Sequence, residues 1–152
     1  MPYVNLVFGN EDEAAAYAGS HSITPNDLET VALNIAHLPR EDTSKPRVVV
    51  ITHGAEATVL ATSDSKEAKT YTVEKLPAGS VKDTNGAGDA FAGAFTAALI
   101  AGKSLDEAVA AGHKLGGICV GQGTSLFLFY IACGLMAYSW PYVRLKATYP
   151  LD

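Results

Sequence analysis

Positive charge is scarce in this chain: eleven Lys and Arg stand against sixteen Asp and Glu, for a net charge of −5. The basic residues are scattered, with no stripe able to neutralise a phosphate backbone, which argues against nucleic acid as a partner. Cysteine is scarcer still. Cys119 and Cys133 offer neither a zinc spacing nor a disulfide framework. The start, Met1-Pro2-Tyr3-Val4, lacks a basic n-region and soon meets Glu11-Asp12-Glu13, so no signal peptide is expected and the cytoplasm is the default compartment. A membrane helix needs about 20 predominantly apolar residues. Residues 115–143 carry no Asp, Glu, Lys or Arg, but the densest part, 126–137, is shorter than that, contains Gly134 and is followed by Trp140-Pro141. This argues against a membrane span. No internal repeat is present.

What is there fits one folded domain. The 152 residues are 48% hydrophobic and 18% charged, a globular composition with enough apolar material for a core. Residues 4–8 read as a short strand, after which Asn10 caps a helix rich in Glu and Ala. Pro25-Asn26-Asp27 opens a second helix with Leu28, Val31, Ala32, Ile35 and Leu38 on one stripe. Residues 40–45 form a polar loop. The β-branched run 48–52 is continuous, as in a strand buried on both faces. Residues 58–62 and 70–73 predict two more strands around the polar turn 63–66. Residues 90–101 predict an alanine-dense helix ending at Gly102, and Ser104-Leu105-Asp106-Glu107 has capping-box spacing at the start of a last helix that runs past His113. Strands alternating with helices give the α/β class, with a parallel or mixed sheet.

The most informative stretch is Asp83-Thr84-Asn85-Gly86-Ala87-Gly88-Asp89-Ala90-Phe91. Gly86 and Gly88 allow a tight turn with no side chain above it, leaving N–H groups aimed outward at a helix N-terminus, where an anion is favoured. Asp89 sits beside that anion position. A carboxylate next to a phosphate is unfavourable unless it does chemistry, and the chemistry available is proton abstraction from an attacking hydroxyl. No Lys follows Gly88, so this is not a Walker loop, and Phe91 stands where a dinucleotide fingerprint needs glycine. The plain alternative is a strand-to-helix turn with Asp at a helix start.

These nine residues resemble the C-terminal signature of the ribokinase-like (PfkB) carbohydrate kinase superfamily, and their surroundings resemble its adenosine kinase branch. In the family's order, Phe8-Gly9-Asn10-Glu11-Asp12-Glu13-Ala14 is similar to the Asn-x-x-Glu motif, and Val48-Val49-Val50-Ile51-Thr52-His53-Gly54 resembles the strand ending in Thr-x-Gly. Ala111-Gly112-His113-Lys114 resembles the helix that flanks the adenine pocket. The resemblance runs to about Gln122. It implies the C-terminal portion of a ribokinase-like fold, a central and mostly parallel sheet flanked by helices. The domains it implies are a kinase part over 1–122, an atypical apolar insertion at 123–137 and a tail at 138–152 where Trp140-Pro141 looks like the family's end again.

By that resemblance the chain carries part of an ATP-dependent, Mg²⁺-requiring adenosine kinase, with adenosine and ATP as partners. Asp89 would be the catalytic base. Asn10, Thr52, Gly54, Gly86, Ala87, Gly88 and His113 would bind ATP and its phosphates, Glu13 would act on the metal through water, and Asp83, Thr84 and Asn85 would support the loop. From the residues alone, Asn10 reads equally as an N-cap, Glu13 as a first-turn dipole partner, Thr52 and Gly54 as a strand-to-turn transition, and His113 as a half-buried helix histidine. His53 is given no role, and His21 and His37 are expected to be exposed. Two alternatives stand beside the kinase reading: an inactive nucleotide-binding fragment, and a fragment of a sugar kinase of the same superfamily. Self-association through exposed apolar surface is a further expectation.

Overall fold

The computed structural model of the chain describes residues 2–24 and 27–122. The elements are β1 (Leu6–Asn10), α1 (Glu11–His21), α2 (Leu28–Ala36), β2 (Val48–His53), β3 (Ala57–Thr62), β4 (Lys69–Thr72), α3 (Ala87–Ile100) and α4 (Leu105–Gln122). The expected segments 123–137 and 138–152, with Cys133, Pro25 and Asn26, lie outside the described residues. No helix among the described residues is long and apolar enough to cross a membrane.

The four strands form one sheet in the order β1-β2-β3-β4. The α/β class is as expected, but the strand sense differs from a mostly parallel sheet. Only β1 and β2 are parallel, and the β2–β3 and β3–β4 pairings are antiparallel. Connection length explains this. The β1-to-β2 crossover carries two helices, whereas only Gly54, Ala55 and Glu56 separate β2 from β3, and so short a link forces the strand to turn back.

Alternation along the strands divides the core between two faces. Val7, Val49, Ile51, Val59 and Ala61 meet α1 and α2 through Ala14, Ala18, Val31 and Ile35. Leu6, Phe8, Val48, Val50 and Leu60 meet α3 and α4 through Phe91, Phe95, Ala98 and Val109. Helices on both faces explain why β2 is a continuous apolar run.

Several boundaries moved, each for a local reason. β1 begins at Leu6, because its first ladder partner is the Asn5 carbonyl, which accepts the Val48 N–H at 2.8 Å. The carbonyl of Val4 is taken instead by Arg47 Nε at 2.8 Å. α2 ends at Ala36, so Leu38 packs on the core from beyond the helix. α3 starts three residues earlier than expected, and Ala87, Gly88 and Asp89 form its first turn. Arg47, which sequence reasoning passed over, is fully buried. Its Nη1 donates to the carbonyls of Ile35 and Leu38, both at 2.9 Å, closing the C-terminal end of α2 against β2.

Candidate functional site

The carboxyl ends of β1 and β2 define one edge of the sheet. Asn10 is the register partner of Thr52, and Thr52 that of Thr58 at the start of β3. Thr58 Oγ1 lies 2.9 Å from Nε2 of His113 on α4, and the His113 ring is tilted against Phe91 at 5.6 Å. Phe91 is one turn into α3, so the glycine loop that starts α3 lies at this same edge. The structure thus brings Asn10, Thr52, His113 and the Gly86-Ala87-Gly88-Asp89 turn to one end of the fold. This is the end at which open α/β sheets bind ligands.

Among the described residues, the start of α3 differs from the other helix starts in its donors. Gly86 is the N-cap residue, at φ 77°, a left-handed conformation suited to glycine, and no side chain caps the helix. The Ala87 N–H turns back to the Thr84 carbonyl at 3.3 Å, and the helical ladder begins with the Ala90 N–H on Gly86. The Gly88 and Asp89 amides fall in the first turn, whose donors have no partner within the helix. α1, α2 and α4 differ: Asn10, Asp27 and Ser104 each accept from the first turn. A β-carbon built on Gly88 meets no atom within 4 Å. Packing does not require glycine there, so the space above the turn is open to an anion. Asp89 is exposed at its rim.

α4 sets the position of this loop. The Val120 carbonyl accepts the N–H groups of Lys82 at 3.0 Å and Asp83 at 3.4 Å. The buried Cys119 thiol donates to the Asn85 carbonyl at 3.7 Å. Burial, with the nearby charges of Asp83 and Asp89, pushes that thiol pKa up, so it stays protonated. Asp83 accepts the Asn85 N–H at 2.9 Å, the Asx-turn contact expected of a supporting residue. Gly116 brings α4 close to the first turn of α3, where its β-carbon would stand 3.4 Å from the Ala87 carbonyl oxygen.

Asn10 and Glu13 form a reciprocal capping box on α1. The Glu13 N–H donates to Asn10 Oδ1 at 2.8 Å, and the Asn10 N–H to Glu13 Oε2 at 2.9 Å. Both side chains therefore have a structural task, and the box leaves Glu13 Oε1 outside it. Among the described residues, no group of three His, Cys, Asp or Glu side chains could hold a metal ion. A magnesium ion fits this donor set only as magnesium usually binds nucleotide sites, through phosphates and waters with one carboxylate such as Glu13 contributing.

The remaining candidates are less engaged. Thr52 Oγ1 makes a long 3.4 Å contact to the Gly9 carbonyl. Gly54, at φ 48°, is exposed in the turn after β2. His53 Nδ1 lies 3.4 Å from the Glu56 carboxylate, while His21 and His37 are exposed. Burial holds the His113 imidazole below its ordinary pKa, favouring the neutral ring. Sequence reasoning missed Thr58, Cys119 and Val120. Thr58 had one signal, a polar residue directly before the apolar run Val59-Leu60-Ala61 of β3.

The chain is similar in sequence and fold to known proteins. The adenosine kinase of Schizophyllum commune is 49% identical over 124 residues, covering 80% of this chain and 36% of the relative. That of Schizosaccharomyces pombe is 44% identical over 127 residues, covering 83% of this chain and 37% of the relative. The crystal structure of Anopheles gambiae adenosine kinase in complex with P1,P4-di(adenosine-5) tetraphosphate is 34% identical and superposes with a TM-score of 0.76 over 82% of this chain and 36% of its own. The chain therefore spans little more than a third of the length of these relatives. The pfkB family carbohydrate kinase profile matches residues 1–127, and on that match the chain belongs to the pfkB family of carbohydrate kinases.

Proposed function

We propose that this chain supplies the phosphate-binding and general-base portion of an ATP-dependent adenosine kinase. The observation that carries the reading is the uncapped, glycine-lined start of α3 with an exposed carboxylate, Asp89, at its rim. A donor nest of this kind suits the γ-phosphate, and the base suits an acceptor hydroxyl. The choice of adenosine rests on the relatives, adenosine kinases at 49% and 44% identity. The Anopheles gambiae enzyme's ligand, a tetraphosphate bearing adenosine at both ends, agrees with a site for a nucleoside and a nucleotide.

In this reading Asp89 takes the proton of the ribose 5′-hydroxyl as that oxygen attacks the γ-phosphorus. The new oxygen–phosphorus bond forms as the bond to the β-phosphate oxygen breaks, giving AMP and ADP. The Gly88 and Asp89 amides receive the charge that shifts onto the phosphoryl oxygens. Asn10, Thr52 and Gly54 line the nucleotide side of the sheet edge, and neutral His113 borders the base. Bound with the nucleotide, magnesium would neutralise phosphate charge, with Glu13 among its outer contacts. The cytoplasm is the compartment this reading carries.

In-line transfer needs both reactants held, and the chain spans only 36% of the Schizophyllum commune enzyme. Turnover therefore belongs to an assembly that includes the rest of the kinase, and the chain by itself should not phosphorylate adenosine. The test is Asp89→Asn in the assembled enzyme. Removing a general base typically costs about 10² to 10⁴ in rate with nucleotide affinity nearly unchanged. An Asn variant that keeps most of its turnover would sink the assignment. Preference for ribose over adenosine in the same assay would favour the sugar kinase alternative.

A further inference from the structure

The helix histidines of this chain are held in two different ways. His21 and His37 turn Nδ1 back onto their own helices, 2.9 Å from the Tyr17 carbonyl and 2.8 Å from the Leu33 carbonyl, each four residues earlier. His113, within α4, makes no such contact among the described residues. Its bond is made by the other ring nitrogen, Nε2, to Thr58 Oγ1 at 2.9 Å, across 55 positions of sequence. Thr52 and Thr58 are register partners, and alternation from Val50 and Leu60 puts both on the α3 and α4 face of the sheet.

Burial decides the direction of that bond. Thr58 is 1% exposed, so its hydroxyl proton needs an acceptor inside the protein. Among the described residues, the partner of Thr58 Oγ1 is Nε2 of His113. If Nε2 carried the ring proton, Thr58 would accept it and its own O–H would be left without an acceptor. The satisfied arrangement has Thr58 donating and Nε2 accepting. A neutral imidazole then carries its proton on Nδ1. Burial favours that neutral ring. Nor is Nδ1 sealed in the core: among the described residues, the buried side-chain polar atom without a partner is Asn5 Oδ1. His113 thus offers one N–H to accessible space at the ligand end of the sheet.

We infer that Thr58 is a positioning residue for nucleotide recognition. By donating to Nε2 it fixes His113 in the Nδ1–H form, and that N–H donates to a ring nitrogen of the purine base instead of accepting from its 6-amino group. The ligand half of the inference rests on the kinase reading, and the tautomer half stands on the geometry alone. Phosphates have their own donors in the first turn of α3. The His113 ring packs on Phe91, one turn further along that helix, so its N–H is left for the base. Thr58 touches no ligand and acts through His113.

The first measurement reads the tautomer on the full chain, from the nitrogen-15 chemical shifts of the His113 ring at a pH where the imidazole is neutral. Expected is the Nδ1–H form in about tenfold excess, the bias that one buried hydrogen bond supplies. Thr58→Val keeps the side-chain shape without the hydroxyl and should abolish the excess, and Thr58→Ser should restore it. The second measurement is calorimetry on the assembled kinase with ATP, its 1-deaza, 3-deaza and 7-deaza forms, and the analogue lacking the 6-amino group. One deaza form should bind the parent about tenfold more weakly than ATP, and the amino-free analogue within about threefold of it. The deaza penalty should vanish in Thr58→Val and return in Thr58→Ser. A merely structural Thr58 would weaken every nucleotide alike and leave the tautomer unchanged, which overturns the proposal. So does an Nε2–H ring in the parent, or a loss confined to the amino-free analogue. A parent enzyme that binds none of these nucleotides would sink the kinase reading and the ligand assignment together, and the tautomer, read without ligand, tells that failure from the others.

Discussion

Gly112 and Phe91 are in such close contact that a β-carbon on the glycine would stand 2.6 Å from two carbons of the ring. α3 and α4 approach this closely because one of them has no side chain at the crossing. Gly112→Ala should therefore force the Phe91 ring to move and destabilise the chain by about 1–3 kcal/mol, the usual cost of overpacking. Denaturant midpoints of parent and variant check this, and an unchanged midpoint would mean that the ring yields freely.

Gly88 makes the opposite case. Its β-carbon position is open and its φ is not in the left-handed range. Alanine there should leave stability unchanged or raise it by up to about 1 kcal/mol, the helix-propensity difference. Its methyl group would still intrude where a phosphate must approach. In the assembled kinase, Gly88→Ala should weaken ATP more than adenosine by calorimetry. Equal weakening of both ligands would point to general damage instead.

Asn10 and Glu13 can be separated by chemistry. Glu13→Gln keeps a capping-box partner, since glutamine serves at this position, but removes the carboxylate. Its stability should match the parent, while the magnesium requirement of the assembled enzyme rises. Asn10→Ala should cost about 1 kcal/mol of stability through the lost cap. If Glu13→Gln leaves the magnesium dependence untouched, the carboxylate is a cap and nothing more.

His113 predicts a pH dependence with a definite sign. Burial disfavours its protonated form, so its pKa in the folded chain lies below the ordinary 6.5. As pH falls, the unfolded chain takes up the proton first. Stability from this group is complete above 6.5 and declines through the window between 6.5 and the depressed folded value, levelling off below it. The difference in denaturation midpoint between the parent and His113→Gln should follow that curve. A flat difference from pH 7.5 to 5 would contradict it.

Much of this was legible because the signals are local. The turn chemistry from Asp83 to Asp89, the Asn10 cap and the Ser104 capping box each depend on residues within a few positions of one another. Strand existence was equally clear from the β-branched run in β2. What escaped reading depends on tertiary neighbours. Nothing near Arg47 in sequence shows that carbonyls of Val4, Ile35 and Leu38 will converge on it. Thr58 meets His113, and Val120 meets Lys82, across separations that no periodicity encodes. The three-residue start of α3 was misplaced because the glycines disguised a helical turn as a loop.

The alternation along β2 has a consequence for how this protein can vary. Val49 and Val50 are chain neighbours, yet one packs with the α1 and α2 residues and the other with those of α3 and α4. A volume change at Val49 can be compensated only by residues such as Ala18, Val31 and Ile35, and one at Val50 only by Phe95, Val109 and their companions. Substitutions on opposite faces should then combine with near-additive free energies, since they share no side-chain partners. Two repertoires of acceptable core sequences can drift independently within one fold, joined by a strand only six residues long.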